Sequence, residues 1–161
     1  MWSATFGSAF AKAQLAAGVK LPARGTVFVS VSNHDKPAVV QIARDLVALG
    51  FSLVATRGTA SYLRAHGIEA GIVFKVNEGR PHVGDSILNG SIQLVINTPV
   101  GRDSFFDDRV VRRVAMLLSV PCITTLTGAS AAVEAIRALR AQTLDVRALQ
   151  DYHAEITAGR V

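Results

Sequence analysis

Five short runs of β-branched and aliphatic residues recur along the chain, each followed by a polar turn and then by a segment whose apolar residues repeat at helical spacing. The first run, TVFVSV at residues 26–31, is short and almost continuously apolar, which reads as a strand buried on both faces. Residues 51–55, 70–74, 92–97 and 122–125 repeat the pattern, and IQLVIN at 92–97 is the most strand-like of them. Helices are expected between them: from Asp35 as N-cap to Gly50, over 59–66 ended by Gly67, over 83–89 ended by Gly90, over 109–118, and over 129–141. In the first helix Pro37 occupies the opening turn, while Val39, Val40, Ala43, Leu46 and Val47 mark the apolar face. Parallel strands need a crossover long enough to hold a helix, so this alternation predicts an α/β fold. The expected form is a doubly wound five-stranded parallel sheet with helices on both faces, a Rossmann-like three-layer sandwich. In such sheets ligands collect outside the carboxyl ends of the strands, which directs attention to the loops after Val31, Ala55, Phe74, Asn97 and Thr125.

The two ends of the chain depart from the alternation. Residues 5–15 (TFGSAFAKAQL) place Phe6, Phe10 and Ala13 along one helical face, but a linker, LPARG at 21–25, follows rather than a strand. A helix of this length is marginal alone and needs another surface to cover it. At the other end a weak strand or turn is expected at Val146 and a last helix over 149–156.

A chain of 161 residues suffices for one domain with a sizeable core, and 50% hydrophobic against 18% charged residues excludes a disordered segment. Arginines break the longest apolar stretch, 110–120, so no membrane span is expected. No basic start followed by an apolar block resembles a secretory leader, and the expected location is cytoplasmic. The single cysteine, Cys122, has no partner for an internal disulfide and reads as a buried packing residue. His34, His66, His82 and His153 have no carboxylate or cysteine at ligand spacing; they read as surface or loop residues, and no metal site is expected. Seventeen basic against 12 acidic residues give a net charge of +5, yet the arginines are scattered. The densest group, Arg109, Arg112 and Arg113, reads as a solvated helix face, and no aromatic platform accompanies it, so nucleic-acid binding is not expected.

Chemistry gathers at the strand ends. After the second strand, TRGTA at 56–60 combines the hydroxyls of Thr56 and Thr59, a glycine that permits close approach, and the unpaired N–H groups of a helix start. That combination cradles anions, the plainer alternative being that Thr59 is only an N-cap. Lys36 and Lys75, two of only four lysines, are expected on the same rim. Asn97 and Thr98 add an amide and a hydroxyl in a loop shaped by Pro99 and Gly101, and Asn97 is alternatively a turn residue. Asp107 and Asp108 either accept a ribose hydroxyl or favour the positive end of the helix that follows. The set suits a phosphorylated small molecule. Neither GxGxxG nor GxxxxGK[ST] is present, which favours a monophosphate over ATP or NAD. No nucleophile and base can be assembled, and no catalytic residue is assigned.

From Gly25 to Ile156 these loops resemble the methylglyoxal-synthase-like domain, above all its form as the C-terminal allosteric domain of carbamoyl-phosphate synthase large subunits. The residues that carry the resemblance are Ser30-Val31 before a polar loop and Asp35-Lys36, ATRGTA at 55–60, KVNEGRPH at 75–82, Ile96-Asn97-Thr98, and TTLTG at 124–128. Residues 1–24 then look like the last helix and linker of a preceding synthetase domain, with the allosteric domain at 25–161. The resemblance implies a regulatory site for UMP or IMP, with Ser30, Lys36, Thr56, Thr59, Lys75, Asn97 and Thr98 around phosphate and ribose. Pro99 stands where the well-known members often carry a second threonine, which leaves the choice of nucleotide open. Asp107 and Asp108 are ribose or interface candidates, and Thr124 matches the position where ornithine is felt at the interface with the synthetase domain. The implied partners are the ATP-grasp synthetase domains and the glutaminase small subunit, and the family's ATP and Mg belong to those synthetase domains. This segment has no cofactor of its own. The enzymatic rival is methylglyoxal synthase, a lyase acting on dihydroxyacetone phosphate. It needs an aspartate directly after a glycine beyond the third strand and a histidine before the helix that follows the fourth; here Arg80 follows Gly79, and Phe105 stands near the second position. A cyclohydrolase that begins with a similar domain fits poorly because its characteristic continuation is absent. An assembly module, forming homo-oligomers through one domain face, is a further alternative.

Overall fold

Side chains on a strand alternate between faces, and here both faces find apolar partners. The computed structural model describes residues 5–98, 105–141 and 148–157. Among them it forms strands β1 (Thr26–Ser30), β2 (Ser52–Ala55), β3 (Gly71–Ile72), β4 (Leu94–Asn97) and β5 (Cys122–Ile123). All pair in parallel, in the order β3-β2-β1-β4-β5. The helices are α1 (Phe6–Ala16), α2 (Lys36–Ala48), α3 (Arg57–Ala65), α4 (Val83–Leu88), α5 (Phe105–Leu117), α6 (Leu126–Ala141) and α7 (Leu149–Thr157), with a single 3-10 turn at Val76–Glu78. Val27, Val29, Leu53, Ala55, Leu94 and Ile96 face one way, into a core completed by α2, α3 and α6. Phe28 and Val95 face the other way, against Val83 and Ile87 of α4 and Val111 and Ala115 of α5. This two-sided burial is why the strands read as apolar runs rather than as alternating ones.

The ends of α2 show how local sequence sets the boundaries. Gly50 takes φ of +78°, which costs glycine little, and lets its own N–H reach the Val47 carbonyl (2.8 Å) while the Phe51 N–H reaches Leu46 (3.0 Å). Arg140, from the last turn of α6, donates to the carbonyls of Leu49 and Ala23 and lies over the Phe51 ring. Asp35 stands at the N-cap position of α2 but makes no cap bond there, contrary to the expectation from sequence; its carboxylate is engaged elsewhere, as described below.

Other boundaries also move. β3 shrinks to two residues because it is an edge strand held only by β2, and the ladder is carried on by the Val73 N–H to the Ala55 carbonyl (3.0 Å) and a bridge between Phe74 and His82. β1 stops at Ser30, β4 starts at Leu94 and β5 stops at Ile123. α3, α5 and α6 begin two, four and three residues before the expected starts at 59, 109 and 129, so Thr59, Asp107 and Asp108 all lie within first turns. Cys122 is only partly buried. The expectations for Pro99, Gly101 and Val146 fall outside the described residues.

The N-terminal helix finds its covering surface on α6. Gly7 and Ala11 are its buried residues, and a Cβ placed on Gly7 would stand 2.5 Å from the Glu134 carbonyl oxygen. Overpacking against rigid backbone costs about 1–3 kcal/mol, more than the roughly 1 kcal/mol of helix propensity that alanine gains over glycine. Gly7→Ala is therefore expected to lower stability by about 1 kcal/mol, read as a lower urea midpoint at unchanged m-value; a raised midpoint would show that α1 is not seated on α6 in solution.

Candidate functional site

The rim is built where β1 and β4 run side by side. Their register pairs Ser30 with Asn97, so the loops leaving these two strands start next to each other. The Thr98 N–H donates to the Ser30 carbonyl (3.0 Å), and the Ser32 N–H donates to the Thr98 hydroxyl oxygen (3.2 Å). Thr98 and Ser32 in turn donate to the Asp35 carboxylate and hold it below the ordinary aspartate range. The Asp35 N–H closes the turn on Ser32 Oγ (3.2 Å). Thr98 thus clamps the loop that carries Lys36, a role its sequence position does not announce.

The start of α3 forms the opposite wall. Thr56 sits at the N-cap but makes no side-chain cap bond, so it leaves the first-turn amides uncovered. Its hydroxyl donates instead to Thr59 Oγ1 (3.3 Å), which also lies 3.5 Å from the Val31 N–H. Thr59 is only 1% exposed, and the oxygen that accepts these two donors keeps its own O–H proton to give. The first turn of α3 includes Thr59, so the reading of that residue as an N-cap is wrong: the helix starts two residues earlier. Across the groove the Lys36 ammonium reaches this same turn, 3.5 Å from the place a Cβ on Gly58 would occupy. A cation beside the positive end of a helix is a repulsive arrangement that an anion between them relieves.

Lys75, Asn97, Asp107 and Asp108 line the floor with Ser30 and Thr56, around a cavity of about 20 Å³, the room of one water. Asn97 donates its amide to Asp108 (2.9 Å), so that donor is committed inside the protein. Asp107 differs. It is 6% exposed, and neither carboxylate oxygen has a partner in hydrogen-bond geometry. Burial pushes its carboxyl above the ordinary aspartate range, against the opposing pull of Lys75 and the Asn77 backbone.

Ser30, Lys36, Thr56, Thr59, Lys75, Asn97, Thr98, Asp107 and Asp108 all occupy this carboxyl-end rim. Thr124 does not join them in the floor cavity; it lines a separate one of about 580 Å³ with Phe10, Arg112, Met116 and Cys122. His82 is buried rather than a surface or loop residue: its ring accepts the Asp85 N–H (3.3 Å) while the Asp85 carboxylate accepts the His82 N–H (3.0 Å), closing the start of α4. The signal was the three-residue spacing of a polar residue and an aspartate ahead of an apolar turn. Among the described residues no group of three metal-ligating side chains occurs, and no helix is long and apolar enough to cross a membrane. Tyr62, which sequence reading passed over, faces the Lys36 ammonium.

Asp107 gives the site a measurable pH dependence. Between the ordinary value of 3.8 and the raised value, the folded protein keeps a proton that the unfolded chain gives up, so stability falls as pH rises through that window. Asp107→Asn removes the effect and is expected to raise stability at pH 7. The gain should vanish below the ordinary aspartate range; thermal melts of both proteins from acid to neutral pH check it, and a pH-independent difference would contradict it.

Comparison with known proteins places this geometry in context. Residues 38–124 match the family model described as the MGS-like domain. The carbamoyl phosphate synthase large chain of Synechocystis sp. is 55% identical over 148 residues, which cover 91% of this chain and 14% of that protein. The large chain of Acidobacterium capsulatum is 52% identical over 149 residues, 92% of this chain and 14% of that one. The protein of Methanopyrus kandleri named as the C-terminal section of the large chain is 53% identical over 150 residues, 92% of this chain and 28% of that one. The chain therefore spans a small part of the length of these relatives.

Proposed function

This chain belongs to the MGS-like domain family, and on that premise we propose that it is a regulatory domain that binds a nucleoside monophosphate, UMP or IMP, for a carbamoyl-phosphate synthase large chain. The observation that carries this reading is the Lys36 ammonium held against the uncapped first turn of α3, beside the buried Thr59 hydroxyl. Ammonium, hydroxyl and first-turn amides are all donors, and together they suit the three terminal oxygens of a phosphate monoester. Lys75 and the buried carboxylate of Asp107, which has no donor in good hydrogen-bond geometry, lie farther along the rim, where a sugar hydroxyl can donate to Asp107. Each charge-assisted contact contributes about 1.5–3 kcal/mol, and ordering costs reduce the sum to roughly micromolar affinity.

The synthase of which this would be part makes carbamoyl phosphate from bicarbonate, glutamine-derived ammonia and ATP. In this reading the chemistry, with its ATP and Mg, belongs to the synthetase domains, and ammonia comes from the glutaminase subunit. This segment supplies no catalytic residue. A preference of the occupied rim for one catalytic state of about 1–3 kcal/mol would be enough to regulate it.

Calorimetric titration with UMP and IMP tests the proposal. Lys36→Ala is expected to weaken binding about tenfold or more, and Thr59→Val about three- to tenfold. Titrations unchanged by both substitutions would remove these residues from the site, and no heat with either nucleotide would remove the function. The lyase alternative has one observation on its side, the buried carboxylate of Asp107 near Lys75. It predicts methylglyoxal from dihydroxyacetone phosphate, and a colorimetric assay is expected to detect none.

A further inference from the structure

Lys36 lies where electrostatics disfavours a cation. Its ammonium adjoins the first turn of α3, whose amides carry partial positive charge, and no carboxylate among the described residues pairs with it. What faces it is the ring of Tyr62, with Lys36 Nζ 5.9 Å from the ring centroid, within the range where the negative face of an aromatic ring attracts a cation. Tyr62 follows Thr59 by three residues on α3, so it stands one turn behind the hydroxyl that lines the cradle. The ring is itself held in place. It is partly buried against the main core, its centroid is 4.5 Å from that of His66 with a tilt of 32°, and His66 Nδ1 lies 2.9 Å from the Tyr62 carbonyl oxygen.

We propose that Tyr62 is a positioning residue for Lys36: its ring stands in for a counter-ion and holds the ammonium over the start of α3, ready to meet a phosphate oxygen. This rests on the reading of the rim as a phosphate-monoester site. A free lysine side chain has many rotamers to lose on binding, and a ring that already restricts them reduces the loss when the anion arrives. Recognition then needs an aromatic face at position 62 and not the phenolic hydroxyl, which separates a cation–ring role from a hydrogen-bonding one.

The test is a double-substitution cycle read by calorimetry, with UMP and inorganic phosphate as probes. Tyr62→Phe is expected to bind within twofold of the unsubstituted protein. Tyr62→Leu, which keeps bulk but has no ring, is expected to weaken both probes about three- to fivefold. In a Lys36→Ala background Tyr62→Leu should have no further effect, whereas a merely structural role would lower affinity equally in both backgrounds and overturn the proposal. A second measurement needs no ligand. The Lys36 ε-methylene protons should resonate upfield of ordinary lysine values through the ring current, keep that shift in Tyr62→Phe and lose it in Tyr62→Leu. An ordinary shift in the unsubstituted protein would refute the proposal even if nucleotide binds. An upfield shift without nucleotide binding would instead leave the positioning intact and refute the functional reading.

Discussion

The pairing of β1 with β4 is the constraint on which the rest of this molecule depends. These strands are separated in sequence by β2, β3 and three α-helices, yet their register sets Ser30 beside Asn97 at the carboxyl end of the sheet. From that point the chain leaves in two directions, toward α2 on one face and α5 on the other, which is the geometry that opens a crevice in a parallel sheet. Every group on the rim follows from it. Thr98 reaches across to the loop leaving β1, and Asn97 reaches Asp108 at the start of α5.

The crevice contains an electrostatic conflict on each side. On one wall a lysine ammonium adjoins a helix N-terminus; on the floor a carboxylate is buried beside a second aspartate with no donor in good hydrogen-bond geometry, the Asn77 backbone offering only a weak pull. Folded proteins seldom keep such groups unless something else compensates, because a buried polar group without a partner costs about 1–3 kcal/mol. A ligand carrying both an anionic end and hydroxyl donors relieves both conflicts at once, and a sugar phosphate has that combination. The aromatic ring of Tyr62 moderates the first conflict; Lys75 moderates the second, drawing the Asp107 carboxyl down against the stronger effect of burial. In the proposed reading the rim is therefore better matched to a phosphorylated polyol than to phosphate alone.

Much of this is legible in the sequence. The apolar runs gave all five strands, and the turn glycines gave the ends of α2, α3 and α4, because glycine takes positive φ at little cost. The starts of helices were less legible. α3 and α5 begin earlier than their apolar periodicity because their first turns carry polar residues that line the rim rather than the core, and periodicity reports only what is buried in the core. The same reasoning explains His82, whose ring closes the start of α4, and the N-terminal helix, whose partner surface on α6 lies more than a hundred residues away in sequence.

The sequence by itself determined the layered α/β architecture and which polar residue types stand at the strand ends. These follow from short-range periodicity and from the chemistry of single side chains. Only the tertiary structure decided which of those side chains remain free to act. It commits Thr98 to the Lys36 loop and Asn97 to Asp108, leaves Asp107 without a well-aligned donor, directs Thr124 into a different cavity and brings Tyr62 against Lys36. The reason is that each of these outcomes depends on which strands are neighbours and on how their ends are aligned, and neither hydrophobic spacing nor local propensity encodes strand order.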